Sequence, residues 1–172
     1  MNSYFKRQLS DYVEYHRDPK NCALHVFGII FLFLAAVLPL SLWPINAVGV
    51  QTNLAAAMAL PVLIYWLLLD ASVGMGILCA AVLLLTIAAT IVHHSSTFGV
   101  WSISAVLMVI GLALQFIGHR VFERRQPALL DNPSHLLLGP MFVMAKLYVA
   151  LGLRRDLASI LELVPRPGAR IS

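Results

Sequence analysis

The sequence predicts an all-α integral membrane protein. It is a helical bundle of four transmembrane helices, with an N-terminal amphipathic helix before them and a C-terminal re-entrant or interfacial helix after them. Three observations predict it. Of 172 residues, 60% are hydrophobic and only 12% charged, against roughly 25% charged in an ordinary soluble domain. From Asn21 to His119 the only formally charged side chain is Asp70, and a water-soluble domain must wet its outer faces far more than that. Short polar turns divide this stretch into runs near the ~20 apolar residues that one bilayer crossing requires.

Within residues 3–16, Phe5, Leu9, Tyr12, Val13 and His16 recur at helical spacing, while Lys6, Arg7, Asp11 and Glu14 lie off that stripe. This is the pattern of an amphipathic helix lying on the membrane surface. Asp18 before Pro19 supplies a cap and a first-turn proline for the next helix, so the first span covers 19–43. Pro44, Asn46 and Gly49 mark a turn. Spans two to four then cover 54–70, 72–92 and 100–119, the last two joined by the polar turn His93-His94-Ser95-Ser96. A polar segment from Arg120 to Ser134, with Pro127 and Asp131-Asn132-Pro133, leads to an apolar run over 135–153. The tail at 165–172 is expected to be loose, and 1–172 reads as one membrane domain without internal repeats. Asp11, Glu14 and Asp18 precede the first apolar run, which lacks a small-residue cleavage site. It is therefore expected to stay as a span and not to be removed as a signal peptide.

All 12 Lys and Arg lie at or before Lys20, or at or after Arg120. With the N terminus cytoplasmic, four crossings return the chain to the cytoplasmic side at His119, where Arg120, Arg124 and Arg125 belong under the positive-inside rule. A fifth crossing over 135–153 would carry Arg154, Arg155, Arg166 and Arg170 outside and would bury Lys146, so a re-entrant or interfacial helix is favoured. No basic run interleaves with aromatic residues over a solvent face, and nucleic acid is not an expected partner. Cys22 and Cys79 are badly placed to meet and have no metal-type spacing, so both read as structural.

Six histidines in so apolar a chain are the most informative feature, because ionisable groups at membrane depth are expensive to keep. The topology puts His16, His25, His119 and His135 at the cytoplasmic edge and His93 and His94 at the other, about 30 Å away. Neutral imidazoles converging from separate helices suit iron or zinc. Glu123 follows His119 by four residues and shares its helical face. A histidine and a carboxylate one turn apart, with further histidines from neighbouring helices, can leave coordination positions open. Taken singly, each histidine is more often an interface residue or a hydrogen-bond partner, and Glu123 equally suits an ion pair with Arg120 or Arg124. Tyr12, Tyr15 and Trp101 read as interfacial aromatics. Gln115 reads as helix-helix glue or as a donor behind a ligand.

Two segments carry a resemblance. Tyr15-His16-Arg-Asp-Pro19-Lys-Asn21-Cys-Ala-Leu-His25 follows a Tyr-His-x-x-Pro-x-Asn-x-x-x-His pattern. Gln115-Phe-Ile-Gly118-His119-Arg-Val-Phe122-Glu123, closing on Pro127-Ala128-Leu-Leu-Asp131-Asn132, follows a Gln-Phe-x-Gly-His-x-x-Phe-Glu block. Together with Gly139-Pro140, these resemble the family of small multi-pass membrane proteins typified by the yeast 2-hydroxy fatty acid dioxygenase of phytosphingosine breakdown. The resemblance implies an iron(II)-dependent oxidoreductase of fatty acid α-oxidation. Such an enzyme shortens a 2-hydroxy fatty acid by one carbon, using O2 and no 2-oxoglutarate. The family's histidines fall on His16, His25 and His119, and its acidic residues on Glu123 and Asp131.

The resulting expectation is one Fe2+, mononuclear, held by His16, His25 and His119, with Glu123 or His135 completing or supporting the shell. The 2-hydroxy acid would chelate through its carboxylate and hydroxyl oxygens. Lys20, Asn21, Arg120 and Arg124 are the candidate substrate contacts, the cations steering the carboxylate to the cytoplasmic edge. The acyl chain would lie among the helices where Gly74, Gly76 and Gly111 leave room. The setting would be the bacterial inner membrane for a prokaryotic chain and the endoplasmic reticulum for a eukaryotic one. Two rival classes are a haem-binding electron carrier with facing axial histidines and a non-catalytic lipid-binding protein.

Overall fold

The computed structural model describes residues 2–47, 49–124 and 135–162. The turn expected around Pro127 and Asp131 and the tail at 165–172 lie outside the described residues. Helix α1 (Ser3–Glu14) begins at Asn2, whose side chain accepts from the Tyr4 N–H. Helix α2 (Pro19–Leu40) starts as its sequence dictates, with Asp18 accepting from the Lys20 and Asn21 N–H groups and Pro19 in the first turn. Where a bare turn was expected after α2, the chain forms a small antiparallel hairpin, β1 (Pro44–Ala47) and β2 (Val50–Asn53). The Leu54 N–H extends the ladder by donating to the Trp43 carbonyl at 3.0 Å.

Helices α3 (Leu54–Leu69), α4 (Ala71–His94) and α5 (Thr97–Ile117) follow. By length and composition α2, α4 and α5 with its continuation to Glu123 can each cross a membrane, whereas α3 is shorter. Outward faces are apolar, with Leu68, Phe98 and Val109 strongly exposed, the inside-out arrangement of a protein solvated by lipid. Thr86, Thr90 and Ser102 return their hydroxyl protons to carbonyls one turn back on the same helix, so these exposed hydroxyls need no water.

Helices α2 and α5 form the most extensive pair and run antiparallel. Gly111 of α5 meets Leu32 and the Gly28 backbone of α2, and Gly118 meets Asn21. Gln115 covers Gly28, and the Ser104 hydroxyl donates to the Ala35 carbonyl at 2.6 Å. Gly74 lets α4 approach the α3 backbone at Trp66 and Leu67, and Gly76 is covered by Met144 and Tyr148. The three glycines expected to leave room for an acyl chain are thus filled by helix-helix contact, because a missing Cβ is used where backbones approach most closely.

After Arg124 the described chain resumes with α6 (His135–Ala150) and α7 (Arg155–Glu162), which are bent at 119° to each other. Near the first end of α6, Gly139 meets Tyr12 and Ile29, and the Trp66 indole donates to the Leu137 carbonyl at 2.7 Å. At its second end the Tyr148 hydroxyl donates to the Ser72 carbonyl. Both ends of α6 are thus tied to the end of the bundle where α2 and α4 begin. The apolar stripe of α1 is buried with α6 and α7: Phe5 and Leu9 are 0% exposed and share a core with Leu138, Met141, Leu157 and Ile160. This corrects the expectation that the stripe faces lipid. The two C-terminal helices cover that apolar surface instead.

Asp70, the lone charge of the apolar stretch, caps α4 through the Val73 N–H and receives Arg154 from the α6–α7 junction at 2.9 and 3.1 Å. Burial raises its pKa, but hydrogen bonds from Arg154, Val73 and Ser72 outweigh this and hold the carboxyl at about 2, below the usual 3.8. A depressed carboxyl stabilises the fold fully above pH ~4 and loses that contribution as pH falls through ~2. Asp70→Asn is therefore expected to cost about 2 kcal/mol in thermal unfolding in nanodiscs. The variant should also lack the part of the wild-type acid sensitivity that falls between those two pH values.

Candidate metal centre

Three elements bring histidines to one buried point. His16 lies in the link between α1 and α2, His25 lies in the second turn of α2, and His119 follows α5. Their exposures are 2%, 5% and 3%, and one ligand nitrogen from each lies within 4.8 Å of the others. The last turn of this helix is not α-helical as the sequence suggests. Gly118–Glu123 is a π-helical turn ended by Arg124 in the left-handed region, at φ 54°. Single π turns recur at functional sites because the widened helix re-aims its side chains.

Hydrogen bonds fix the proton positions on two of the rings. His16 Nδ1 lies 3.0 Å from the Tyr12 carbonyl. A carbonyl only accepts, so Nδ1 carries the hydrogen and Nε2 a bare lone pair. Asn21 is fully buried, and its Nδ2 donates to Glu123 Oε1 at 3.0 Å. This turns Asn21 Oδ1 toward His25 Nδ1, 3.1 Å away, which must then donate. His25 Nε2 is therefore also a lone pair. The two Nε2 atoms face each other at 3.1 Å with no hydrogen between them. Burial and then the His25 imidazole push the His16 pKa down to about 2, so a proton does not fill the gap near neutral pH. His119 adds a buried Nδ1 without a hydrogen-bond partner among the described residues.

Neutral imidazole lone pairs converging in a dry site are the donor set of a divalent transition metal. Two nitrogens bound at about 2.1 Å and at right angles around one ion lie about 3.0 Å apart. The residues present therefore fit a metal ion, and three protein ligands would leave further positions open.

The other site candidates are placed differently. Glu123 does not reach the three histidines as a direct partner. Its Oε1 accepts from the Asp18 N–H at 2.8 Å and from Asn21, because the π turn swings it onto the start of α2. His135 is buried, with its ring edge-on to Tyr12 and Tyr15 at 5.5 and 5.8 Å between centroids. It is not one of the three whose ligand atoms converge. Lys20 lies over Phe122 and Arg120 over Phe116, both exposed, as is Arg124. Of the four proposed substrate contacts, only Asn21 is inside. His93 and His94 are exposed at the end of α4, away from this centre. Both cysteines are free.

Reading the sequence missed three residues. Tyr12, expected at the interface, stacks flat on His16 with centroids 4.1 Å apart. The signal was its position four residues before His16 on the buried stripe. Phe142 packs against both rings, and Lys146 lies over Phe142 at 4.7 Å. Neither has a local signal, since α6 is joined to the centre only by the fold. Gly118 has no freedom here, because any Cβ would strike Asn21 Oδ1.

Together the fold and the centre define a multi-pass helical membrane protein with a buried three-histidine cluster able to hold a metal ion. Residues 2–151 match the family model described as 2-hydroxy-palmitic acid dioxygenase Mpo1-like, and the chain belongs to that family. It is 33% identical over 161 residues to the 2-hydroxy-palmitic acid dioxygenase MPO1 of Saccharomyces cerevisiae, covering 91% of this chain and 87% of the yeast protein. No solved structure matches the chain.

Asn21→Ala removes the amide that sets the His25 tautomer and ties it to Glu123. Losing such a partner typically costs 10–100-fold in metal affinity. That loss is expected in competition titrations of bound metal against a chelator, with helical content retained by circular dichroism.

Proposed function

We propose that this protein is an iron(II)-dependent dioxygenase that cleaves long-chain 2-hydroxy fatty acids to the acid one carbon shorter. The observation that carries the reading is the pair of opposed Nε2 lone pairs, on two of the histidines shared with the family pattern. His16, His25 and His119 are the proposed ligands of one Fe2+. Bound iron would supply the one-electron chemistry that lets O2 react with an organic acid.

The protein's own residues set up that chemistry. The Tyr12 carbonyl holds the His16 tautomer, and the Tyr12 ring clamps the imidazole plane. Asn21 holds the His25 tautomer and links it to Glu123, which also accepts from the Asp18 N–H at the start of α2. Glu123 is thus a positioning residue that acts through Asn21. His135 flanks the opposite edge of Tyr12 and joins Phe142 in excluding water from the cluster. A 2-hydroxy acid carries its carboxylate and hydroxyl oxygens on adjacent carbons, and an ion held by His16, His25 and His119 would supply the Lewis-acid chemistry that recognises such a pair.

The three imidazole rings contact one another edge to face, with centroids 4.4, 5.0 and 4.7 Å apart, which leaves no space for a macrocycle between any two of them and argues against the haem carrier.

The proposed topology has four crossings. Helices α2 and α4 both begin at the histidine end of the bundle, so α3 has to return the chain across it. At 16 residues it is about 24 Å long, short for a bilayer unless the core thins or the hairpin sits in the headgroups. With the N terminus cytoplasmic, the centre lies at the cytoplasmic edge, and α6 is an interfacial helix with both ends on that side.

The test is anaerobic purification, iron analysis and O2 uptake with 2-hydroxypalmitate, with mass measurement of the product. The expected result is about one iron per chain and a product one carbon shorter. His119→Ala should lose both the iron and about a hundredfold or more of the turnover. Failure to take up O2 with any 2-hydroxy acid would overturn the reading.

A further inference from the structure

Helix α2 carries two adjacent stripes, and the centre uses only one. Asn21, His25, Gly28 and Leu32 face α5 and the π turn. Cys22, Val26, Ile29 and Phe33, spaced by four, three and four residues, form the second stripe. Its last three members line a cavity of ≈ 210 Å³ between α2, α4 and α6. Opposite them on α4 stand Ala80, Ala81 and Leu84, and every lining side chain belongs to an apolar or aromatic residue. From Val26 to Phe33 the stripe covers about 10 Å at 1.5 Å per residue, the length of roughly eight methylenes.

The head of this stripe is charged. The Lys146 ammonium donates to Cys22 Sγ at 2.9 Å, one turn before Val26. It also lies over Phe142, whose ring packs against His16 with centroids 5.4 Å apart. Among the described residues no carboxylate pairs with Lys146. A half-buried cation beside the histidines, heading an apolar cavity that starts one residue past His25, is the complement of a long-chain carboxylate.

We propose that this cavity holds the acyl chain of the substrate, that Ala80 and Leu84 set the chain length it accepts, and that Lys146 faces the carboxylate. The assignment rests on the reading that the substrate is a 2-hydroxy fatty acid and fixes where that acid lies. The tail runs from the histidine cluster along the second stripe toward Leu84. The four basic and amide residues nominated from the sequence do not line it.

The test uses the full-length, iron-loaded protein in phosphatidylcholine nanodiscs, with two readouts over 2-hydroxy acids from medium to very long chains. One is kcat/KM from O2 uptake. The other is displacement of the fluorescent fatty acid cis-parinarate under argon, which needs no turnover. Ala80→Phe should move the preferred length to shorter chains in both, with about a tenfold loss for 2-hydroxypalmitate and unchanged iron content. Leu84→Ala should move it to longer chains, which keeps the proposal testable if the larger side chain at position 80 prevents folding. With dissociation constants corrected for the probe's own affinity, since parinarate is itself a carboxylate, Lys146→Met should weaken binding of the acids and of parinarate about tenfold while leaving that of the methyl esters unchanged.

Unchanged length profiles in Ala80→Phe and Leu84→Ala would overturn the cavity assignment, even with turnover intact. Equal weakening of acids and esters by Lys146→Met would overturn the role of the cation and point to a phospholipid tail as the occupant. Displacement that shifts as expected without turnover of any 2-hydroxy acid would uphold the assignment and sink the enzymatic reading instead.

Discussion

Two imidazole nitrogens facing each other at 3.1 Å with no proton between them are the constraint on which the rest of the structure depends. In water such a pair would part or protonate. Here neither escape is open, because each ring is held from behind. The Tyr12 carbonyl fixes one, and the Asn21 amide, itself fixed by Glu123, holds the other. The arrangement therefore places electron density around one buried point, the kind of donor set that suits a cation. Much of the local architecture follows from holding that point. Gly118 has no side chain because Asn21 fills the space, and the helix opens into a π turn so that His119 and Glu123 can serve different partners. Pro19 can open α2 because Asp18 caps it with its side chain while its own N–H is taken by Glu123.

How much of this could be read from the sequence depends on whether the signal is local. The cap at Asp18, the proline after it and the apolar runs are local, and α2 begins where those residues say it should. Topology made legible only that His16, His25, His119 and His135 share one edge, because the crossings of a charge-poor stretch act as a ruler; the resemblance singled out the three that converge. Glu123 was harder to place. Its four-residue spacing from His119 suggests a shared face only if the helix stays α-helical, and the π turn breaks that assumption. Nothing in Gly118–Glu123 taken alone signals the wider turn, which depends on the partners waiting at the start of α2.

The larger departures share one physical origin. An apolar stripe on a surface helix does not say whether lipid or protein will cover it, since both solvate hydrocarbon equally well. The stripe of α1 reads as membrane-bound on its own, yet Leu138, Met141, Leu157 and Ile160 cover it. Tyr12 moves with the stripe, from an interfacial aromatic to the plate beneath His16. The small residues of α4 and α5 show the same ambiguity. Gly74, Gly76 and Gly111 mark places where neighbours come close, while the room is found beside Ala80 and Ala81.

Asp70 connects these threads. A lone carboxylate in so apolar a stretch needs a cation, and no Lys or Arg lies nearer in sequence than Lys20 or Arg120. The partner is Arg154, beyond α6, which means that satisfying one charge at the start of α4 fixes where the C-terminal part of the chain must go. Once that junction is pinned, α6 can only run back across the bundle toward Tyr12. There it lays Phe142 against the histidines and roofs the cavity along α2. A charge remote in sequence from the histidine cluster thereby determines what closes it. The cost of burying Asp70 is offset by an ion pair whose geometric consequence is a covered site, where imidazoles stay neutral and electrostatic interactions are strengthened.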